Sequence, residues 1–132
     1  MCNVLLIEDD RFLIDDLKTF IEYEGHSCTV YTGPDEVIEN LEALGQYDAI
    51  ILDIMMTRGT YLQEEDPDFE TGELLYLRIR AQYPDLVILI ISAKNFSDMQ
   101  IDFSTENNVE TISKPFDSTA SELIKYLPQD LK

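Results

Sequence analysis

Residues 4–10 read Val4-Leu5-Leu6-Ile7-Glu8-Asp9-Asp10, four apolar residues that stop at three acids. A short apolar run without polar alternation marks a strand covered on both faces, as in a parallel sheet. The pattern recurs along the chain. Ala49-Ile50-Ile51-Leu52 runs into Asp53, Leu86-Val87-Ile88-Leu89-Ile90-Ile91 into Ser92 and, less cleanly, residues 109–112 into Ser113-Lys114. As strands of one sheet, these runs would bring their carboxyl ends to one edge. Glu8, Asp9, Asp53, Ser92 and Lys114 would then converge there.

Between the runs the apolar period becomes helical. Residues 11–24 carry Phe12, Leu13, Leu17, Phe20 and Ile21 and stop at Gly25. Residues 27–31 read as a shorter, more polar strand, suited to a sheet edge. Gly33-Pro34-Asp35 opens a helix with Val37, Ile38, Leu41 and Leu44, closed by Gly45. Further helices are predicted at 72–82 (Leu74, Leu75, Leu77, Ile79), at 95–107 (Met99, Ile101, Phe103) and at 117–127, the last capped by Asp117 or Ser118. Five strand–helix units with short connections predict one α/β domain over residues 1–132, a doubly wound five-stranded parallel sheet with helices on both faces. Residues 57–71 break this rhythm with Gly59, Pro67 and the acids Glu64, Glu65, Asp66, Asp68 and Glu70, and predict a long loop of the functional or mobile kind.

Composition narrows the partners. Twenty-seven acids against nine bases leave a net charge of −18. Direct nucleic-acid binding needs clustered Lys and Arg, and an anionic membrane surface needs the same, so neither is expected. No apolar run approaches a membrane span of about 20 residues. Cys2 and Cys28 lack metal or redox spacing and read as reduced structural thiols of a cytoplasmic protein. His26, in the turn after Gly25, reads as a solvated turn residue.

The converging residues point to phosphoryl chemistry. Three crowded carboxylates repel one another unless a divalent cation neutralises them, and Mg²⁺ prefers such oxygen ligands. An acid after a strand also serves as an ordinary helix cap, which is the role expected of Asp10. Asp53, ending an interior strand, is the best placed nucleophile, and its attack on phosphorus would give an aspartyl phosphate. Lys114 would neutralise charge on the transferred group and Ser92 would donate a hydroxyl to it. Taken alone, Ser92 fits a strand-end hydroxyl bonded to backbone better than a phosphoryl donor, whereas the company of Lys114 disfavours reading it as a merely solvated lysine. Pro115 restrains the backbone after Lys114.

Val4-Leu5-Leu6-Ile7-Glu8-Asp9-Asp10, Ile51-Leu52-Asp53-Ile54-Met55-Met56, Ser92-Ala93-Lys94 and Lys114-Pro115-Phe116, in this order, resemble the receiver domain of two-component response regulators over the whole chain. The resemblance implies a flavodoxin-like fold with strand order 2-1-3-4-5. It implies Asp53 as phosphoacceptor, Asp9 as a direct Mg²⁺ ligand, Glu8 acting on the metal largely through water, and the Met55 carbonyl completing the protein ligands. Ser92 and Lys114 would hold the phosphoryl group, with Lys114 pairing to Asp53 before phosphorylation. The donor would be a sensor histidine kinase or a histidine phosphotransfer protein. The domain would catalyse its own phosphorylation and dephosphorylation rather than act as a conventional enzyme. Its output protein or domain is unknown; the face formed by residues 95–107, 109–113 and 117–127 would carry the signal, with homodimerisation as an option.

Three departures stand out. Thr57 replaces a proline usual after the acceptor motif. The expected glycine is Gly72, 72 − 53 = 19 positions beyond Asp53, so residues 57–71 form an acidic insertion beside the site. It is expected to act as a lid or a partner-selecting loop. Thr111 stands where the family carries a switch aromatic, so coupling through a turning ring cannot run through that residue. Three other readings share parts of this pattern. A pseudo-receiver would keep the fold as a binding module without phosphorylation. A phosphatase of the haloacid dehalogenase type would want an Asp where Met55 stands. A nucleotide-binding protein of this fold would want a glycine-rich loop after the first strand.

Overall fold

A computed structural model of the chain describes residues 2–114 and 121–128. The five predicted strands form one parallel sheet: β1 (Asn3–Ile7), β2 (Ser27–Tyr31), β3 (Ala49–Asp53), β4 (Val87–Ser92) and β5 (Val109–Ser113), in the order β2-β1-β3-β4-β5. This is the flavodoxin-like doubly wound arrangement. Alternate residues of β1, β3 and β4 enter two cores. Leu5, Ile7, Ile50, Leu52, Ile88 and Ile90 meet α2 (Pro34–Glu39) and α3 (Thr71–Gln82) on one face. Val4, Leu6, Ala49, Ile51, Leu89 and Ile91 meet α1 (Arg11–Tyr23) and α4 (Ser121–Tyr126) on the other. Burying each large side chain stabilises by about 1.5–3 kcal/mol, so neither face tolerates polar alternation.

Local chemistry sets the helix ends. Asp10 caps α1 as expected: its Oδ1 accepts from the N–H groups of Phe12 and Leu13 at 3.0 and 3.3 Å. Gly25 ends the helix at φ +97°, a left-handed conformation that costs glycine little. His26 departs from a free turn residue: it is partly buried, and its Nδ1 accepts from the Cys2 N–H at 2.9 Å. Cys2 and Cys28 are buried, and the Cys2 thiol donates to the Pro128 carbonyl at 2.8 Å.

Two predicted helices are corrected. The helix expected at 33–45 divides at Asn40, whose side chain donates to the Glu36 carbonyl at 2.8 Å; α2 stops at Glu39 and Leu41–Gln46 continues as a 3₁₀ helix. No α-helix forms at 95–107. Only the short 3₁₀ turns Phe96–Asp98 and Phe103–Thr105 appear there. Asp102 explains part of this, because its Oδ1 accepts from the backbone N–H and the hydroxyl of Ser104, a local bond that competes with the helical ladder. Packing supplies the rest. Phe103 is buried edge-on against Tyr76 of α3, with ring centroids 5.1 Å apart, and the Tyr76 hydroxyl donates to Glu106 at 2.6 Å. Leu77, placed among the apolar positions of the helix at 72–82, is instead 46% exposed, and its neighbour Tyr76 takes the core position. The predicted cap of the last helix, at Asp117 or Ser118, and Pro115 lie outside the described residues.

The acidic insertion is folded. Arg58 spreads its guanidinium over four backbone carbonyls: Nη1 donates to Leu62 and Glu65 at 3.2 and 3.3 Å, Nη2 to Asp66 and Phe69 at 2.9 and 2.6 Å. A planar fork of five donors is suited to this; no lysine could replace it. Leu62 is fully buried in the core beneath α2 and α3. Asp35 at the start of α2 accepts from the backbone N–H groups of Thr60 and Tyr61, at 2.8 and 3.2 Å to its Oδ1. The loop is thereby stapled to α2. Among the described residues no helix is long and apolar enough to cross a membrane.

Candidate functional site

β1 and β3 are sheet neighbours, Ile7 paired with Leu52, so the residues that follow them leave the sheet together. One carboxylate oxygen from each of Glu8, Asp9 and Asp53 lies within 4.8 Å of the others. Lys114 arrives from β5. Its N–H donates to the Ser92 carbonyl at 2.8 Å, and its Nζ lies 3.0 Å from Glu8 Oε1 and 3.2 Å from Asp53 Oδ1. Glu8, Asp9, Asp53 and Lys114 are therefore one cluster, as convergence of the strand ends predicts. Ser92 ends β4 one residue past the register partner of Asp53, fully buried. Its Oγ accepts from the Lys94 N–H at 2.9 Å, the backbone role that the sequence also allowed. Met55 is half exposed. It lines a shallow hollow of about 340 Å³ with Asp9, Met56, Thr57 and Glu70.

The buried acids of this cluster are not equally provided for. Glu8 Oε2 accepts from the N–H groups of Asp9 and Asp10, both at 3.1 Å, while Oε1 takes Lys114. Asp53 is 2% exposed, and its Oδ1 has the Lys114 ammonium near it but no aligned hydrogen-bond donor. Burial, reinforced by the charge of Glu8, pushes the Asp53 carboxyl up to about 7, with Lys114 pulling the other way. Burial and Glu8 also raise Asp9. For Lys114, burial alone would lower the pKa, but the negative charges of Asp53 and Glu8 hold it above the usual lysine value. Three carboxylates facing one ammonium leave the cluster short of positive charge. An all-oxygen donor set with an orphaned buried oxygen fits Mg²⁺, which binds one or two carboxylates and keeps its other positions for waters or phosphate.

The start of α3 is pressed against this edge. The Gly72 N–H donates to the Ile54 carbonyl at 2.8 Å, and a Cβ at position 72 would lie 2.4 Å from Ile54 Cα and 2.5 Å from the Asp53 carbonyl oxygen. Only glycine fits. Glu70, read from the sequence only as one of the insertion's acids, and Glu73, which the sequence did not single out, organise this junction. The fully buried Glu73 accepts from the Glu70 N–H through Oε1 and from the Ile101 N–H through Oε2, both at 2.8 Å. Glu70 Oε2 lies 2.6 Å from Lys94 Nζ. The spacing of Glu70 and Glu73, three apart at a helix start, is a capping signal; the contacts to Lys94 and Ile101 have no local signature.

The model of the response regulator receiver domain matches residues 4–127. The chain belongs to the receiver domain family. It is 27% identical to the response regulator SaeR of Staphylococcus epidermidis over 96% of its own length and 58% of SaeR. It is 28% identical to the DNA-binding transcriptional regulator NtrC of Proteus hauseri over 87% of its own length and 22% of NtrC. The receiver thus spans little more than half the length of the first of these relatives. Among solved structures it is similar to a response regulator receiver domain protein from Clostridium thermocellum (TM-score 0.72, 18% identity, 93% of this chain and 90% of that one). It is also similar to the receiver domain of the Francisella response regulator 1452 (TM-score 0.71, 23% identity, 96% and 93%). Membership displaces the phosphatase and nucleotide-binding alternatives. This is a receiver domain of a two-component response regulator.

Proposed function

We propose that this receiver takes a phosphoryl group on Asp53 from a phosphohistidine donor, a sensor histidine kinase or a histidine phosphotransfer protein. The observation that carries the reading is a buried carboxylate at the end of β3, its Oδ1 without an aligned donor, clustered with Glu8, Asp9 and Lys114. Glu8, Asp9, Asp53 and the Met55 carbonyl would hold Mg²⁺. When bound, Mg²⁺ would neutralise charge on the phosphoryl oxygens. A carboxylate oxygen of Asp53 attacks phosphorus as the donor's bond to phosphorus breaks. Lys114 then exchanges its contact with Asp53 for the new phosphoryl oxygens, and Ser92 donates its hydroxyl to them. Hydrolysis resets the domain.

Phosphorylation shifts the population of the face formed by β5, the 95–107 segment and the last helix, which an output domain or a separate protein reads. Homodimerisation through that face is a further expectation. We place the domain in the cytoplasm, where phosphohistidine donors deliver their phosphoryl groups, and assign its own surface no nucleic acid, consistent with the −18 charge. Intact mass after incubation with Mg²⁺ and acetyl phosphate tests the reading. One added phosphoryl group on the wild type, dependent on Mg²⁺ and absent from Asp53→Asn, is expected. A wild type left unmodified by small donors and by phosphohistidine donors alike is a pseudo-receiver, and the proposal fails.

A further inference from the structure

Lys94 follows Ser92 by two positions, and its N–H donates to Ser92 Oγ, so the start of its side chain is fixed beside the site. Its ammonium does not stay free. It lies 2.6 Å from Glu70 Oε2, the two side chains being 31% and 27% exposed. Glu70 is the last residue before α3 and the end of the acidic insertion. Its backbone is clamped, because its N–H donates to the fully buried Glu73. Glu73 also holds Ile101, so insertion, helix start and the segment after β4 meet at this pair. Glu70 lines the same hollow as Asp9 and Met55, beside Asp53. The hydrogen bond that Lys94 donates to Glu70 raises the Lys94 pKa above its ordinary value, so the ammonium stays charged.

We propose that Glu70 is a specificity-determining residue of the phosphoryl-transfer site, holding Lys94 and placing a compensating negative charge at the mouth so that small, highly anionic phosphodonors are disfavoured. The inference rests on the phosphoacceptor role of Asp53. A neutral Glu70–Lys94 pair offers an incoming dianion no net attraction, whereas Lys94 alone would attract it, and the same mouth carries Asp9. A protein donor is not bound by this limit, since its docking contacts supply the affinity that a small anion lacks. In the reaction with acetyl phosphate, an Asp53 oxygen bonds to phosphorus as the phosphorus–oxygen bond to acetate breaks, and acetate leaves with the electron pair. Glu70 takes no part in bond making. It sets the electrostatic cost of approach.

The test compares phosphorylation rates of the full chain with saturating Mg²⁺, using acetyl phosphate and the less negatively charged phosphoramidate. Glu70→Gln is expected to raise the acetyl phosphate rate about 5-fold at low ionic strength and the phosphoramidate rate less than about 2-fold. The difference should shrink toward unity at about 0.5 M salt, where screening acts within a few ångströms. In Glu70→Gln/Lys94→Met the gain should vanish, because the freed ammonium is gone. Glu70→Gln keeps the backbone N–H that Glu73 binds, and thermal melting of each variant confirms the fold. Equal changes with both donors, or a salt-independent change, would mean a structural role and overturn the proposal. A wild type that is phosphorylated while Glu70→Gln matches it removes the gate alone; a wild type that no donor phosphorylates removes the Asp53 reading and the gate with it.

Discussion

Asp53, at the end of β3, and Glu73, in the first turn of α3, are two buried carboxylates at 2% and 0% exposure, yet they are treated in opposite ways. Both oxygens of Glu73 accept backbone N–H groups, from Glu70 and Ile101. Asp53 keeps a buried Oδ1 without an aligned donor, beside the charge of Glu8. Burial alone therefore does not mark a functional acid. What distinguishes Asp53 is unspent hydrogen-bonding capacity, which keeps it open to a cation or a phosphoryl group; Glu73 has spent its own on architecture.

The same carboxylate-to-amide change at both places should have opposite signs. Glu73→Gln is expected to destabilise by about 2–4 kcal/mol, because one of two buried N–H groups then faces an NH₂ group. Asp53→Asn should stabilise the metal-free protein by about 1–3 kcal/mol at neutral or higher pH, by removing a buried, poorly provided charge. Urea titrations of both variants in chelator check the pair. Equal signs would break the comparison.

The pH dependence sharpens it. Asp53 has a folded pKa of about 7 against an ordinary value of 3.8, so between these values the folded state binds more protons than the unfolded one. Its contribution must therefore make the metal-free protein more stable as pH falls from about 7 toward 4. The stabilisation by Asp53→Asn should fade over that same window. Added Mg²⁺ should raise the melting temperature of the wild type at pH 7.5 in proportion to the logarithm of its concentration, with a smaller effect on Asp53→Asn.

Smaller effects belong to the insertion. Arg58→Ala removes four bonds to carbonyls and should cost about 1–2 kcal/mol, with amide exchange accelerating across residues 57–71 and little change around β1. The smallest concerns Asp35. Despite some desolvation, the N–H groups of Tyr61 and Thr60 hold its carboxyl below the ordinary value. A depressed pKa stabilises above the unfolded value and is lost as pH falls through the folded one. The staple between α2 and the insertion should accordingly loosen below about pH 4, seen as faster exchange at Thr60 and Tyr61 in the wild type and absent from Asp35→Asn.

Much of this was written locally. The runs at Val4, Ala49 and Leu86 mark strands covered on both faces, and the acids at the ends of the first two, with Lys114 after the weaker run at 109–112, name the cluster from sequence position alone. Residues 95–107 read as a helix from Met99, Ile101 and Phe103, but Asp102 and Ser104 bond locally instead. The insertion was legible as a loop, but not as an ordered one, since its order comes from Arg58 reaching carbonyls up to eleven residues away.

The sequence by itself determined the alternation of strand and helix, the sheet class and the residues at its carboxyl edge, because apolar periodicity and strand-end position are local properties. Tertiary structure alone decided which buried acid remains unsatisfied, where Lys94 is held, and how the insertion docks on α2. Those outcomes depend on donors brought from distant parts of the chain: Ile101 to Glu73, Lys114 to Glu8, Thr60 and Tyr61 to Asp35. No local pattern encodes such meetings.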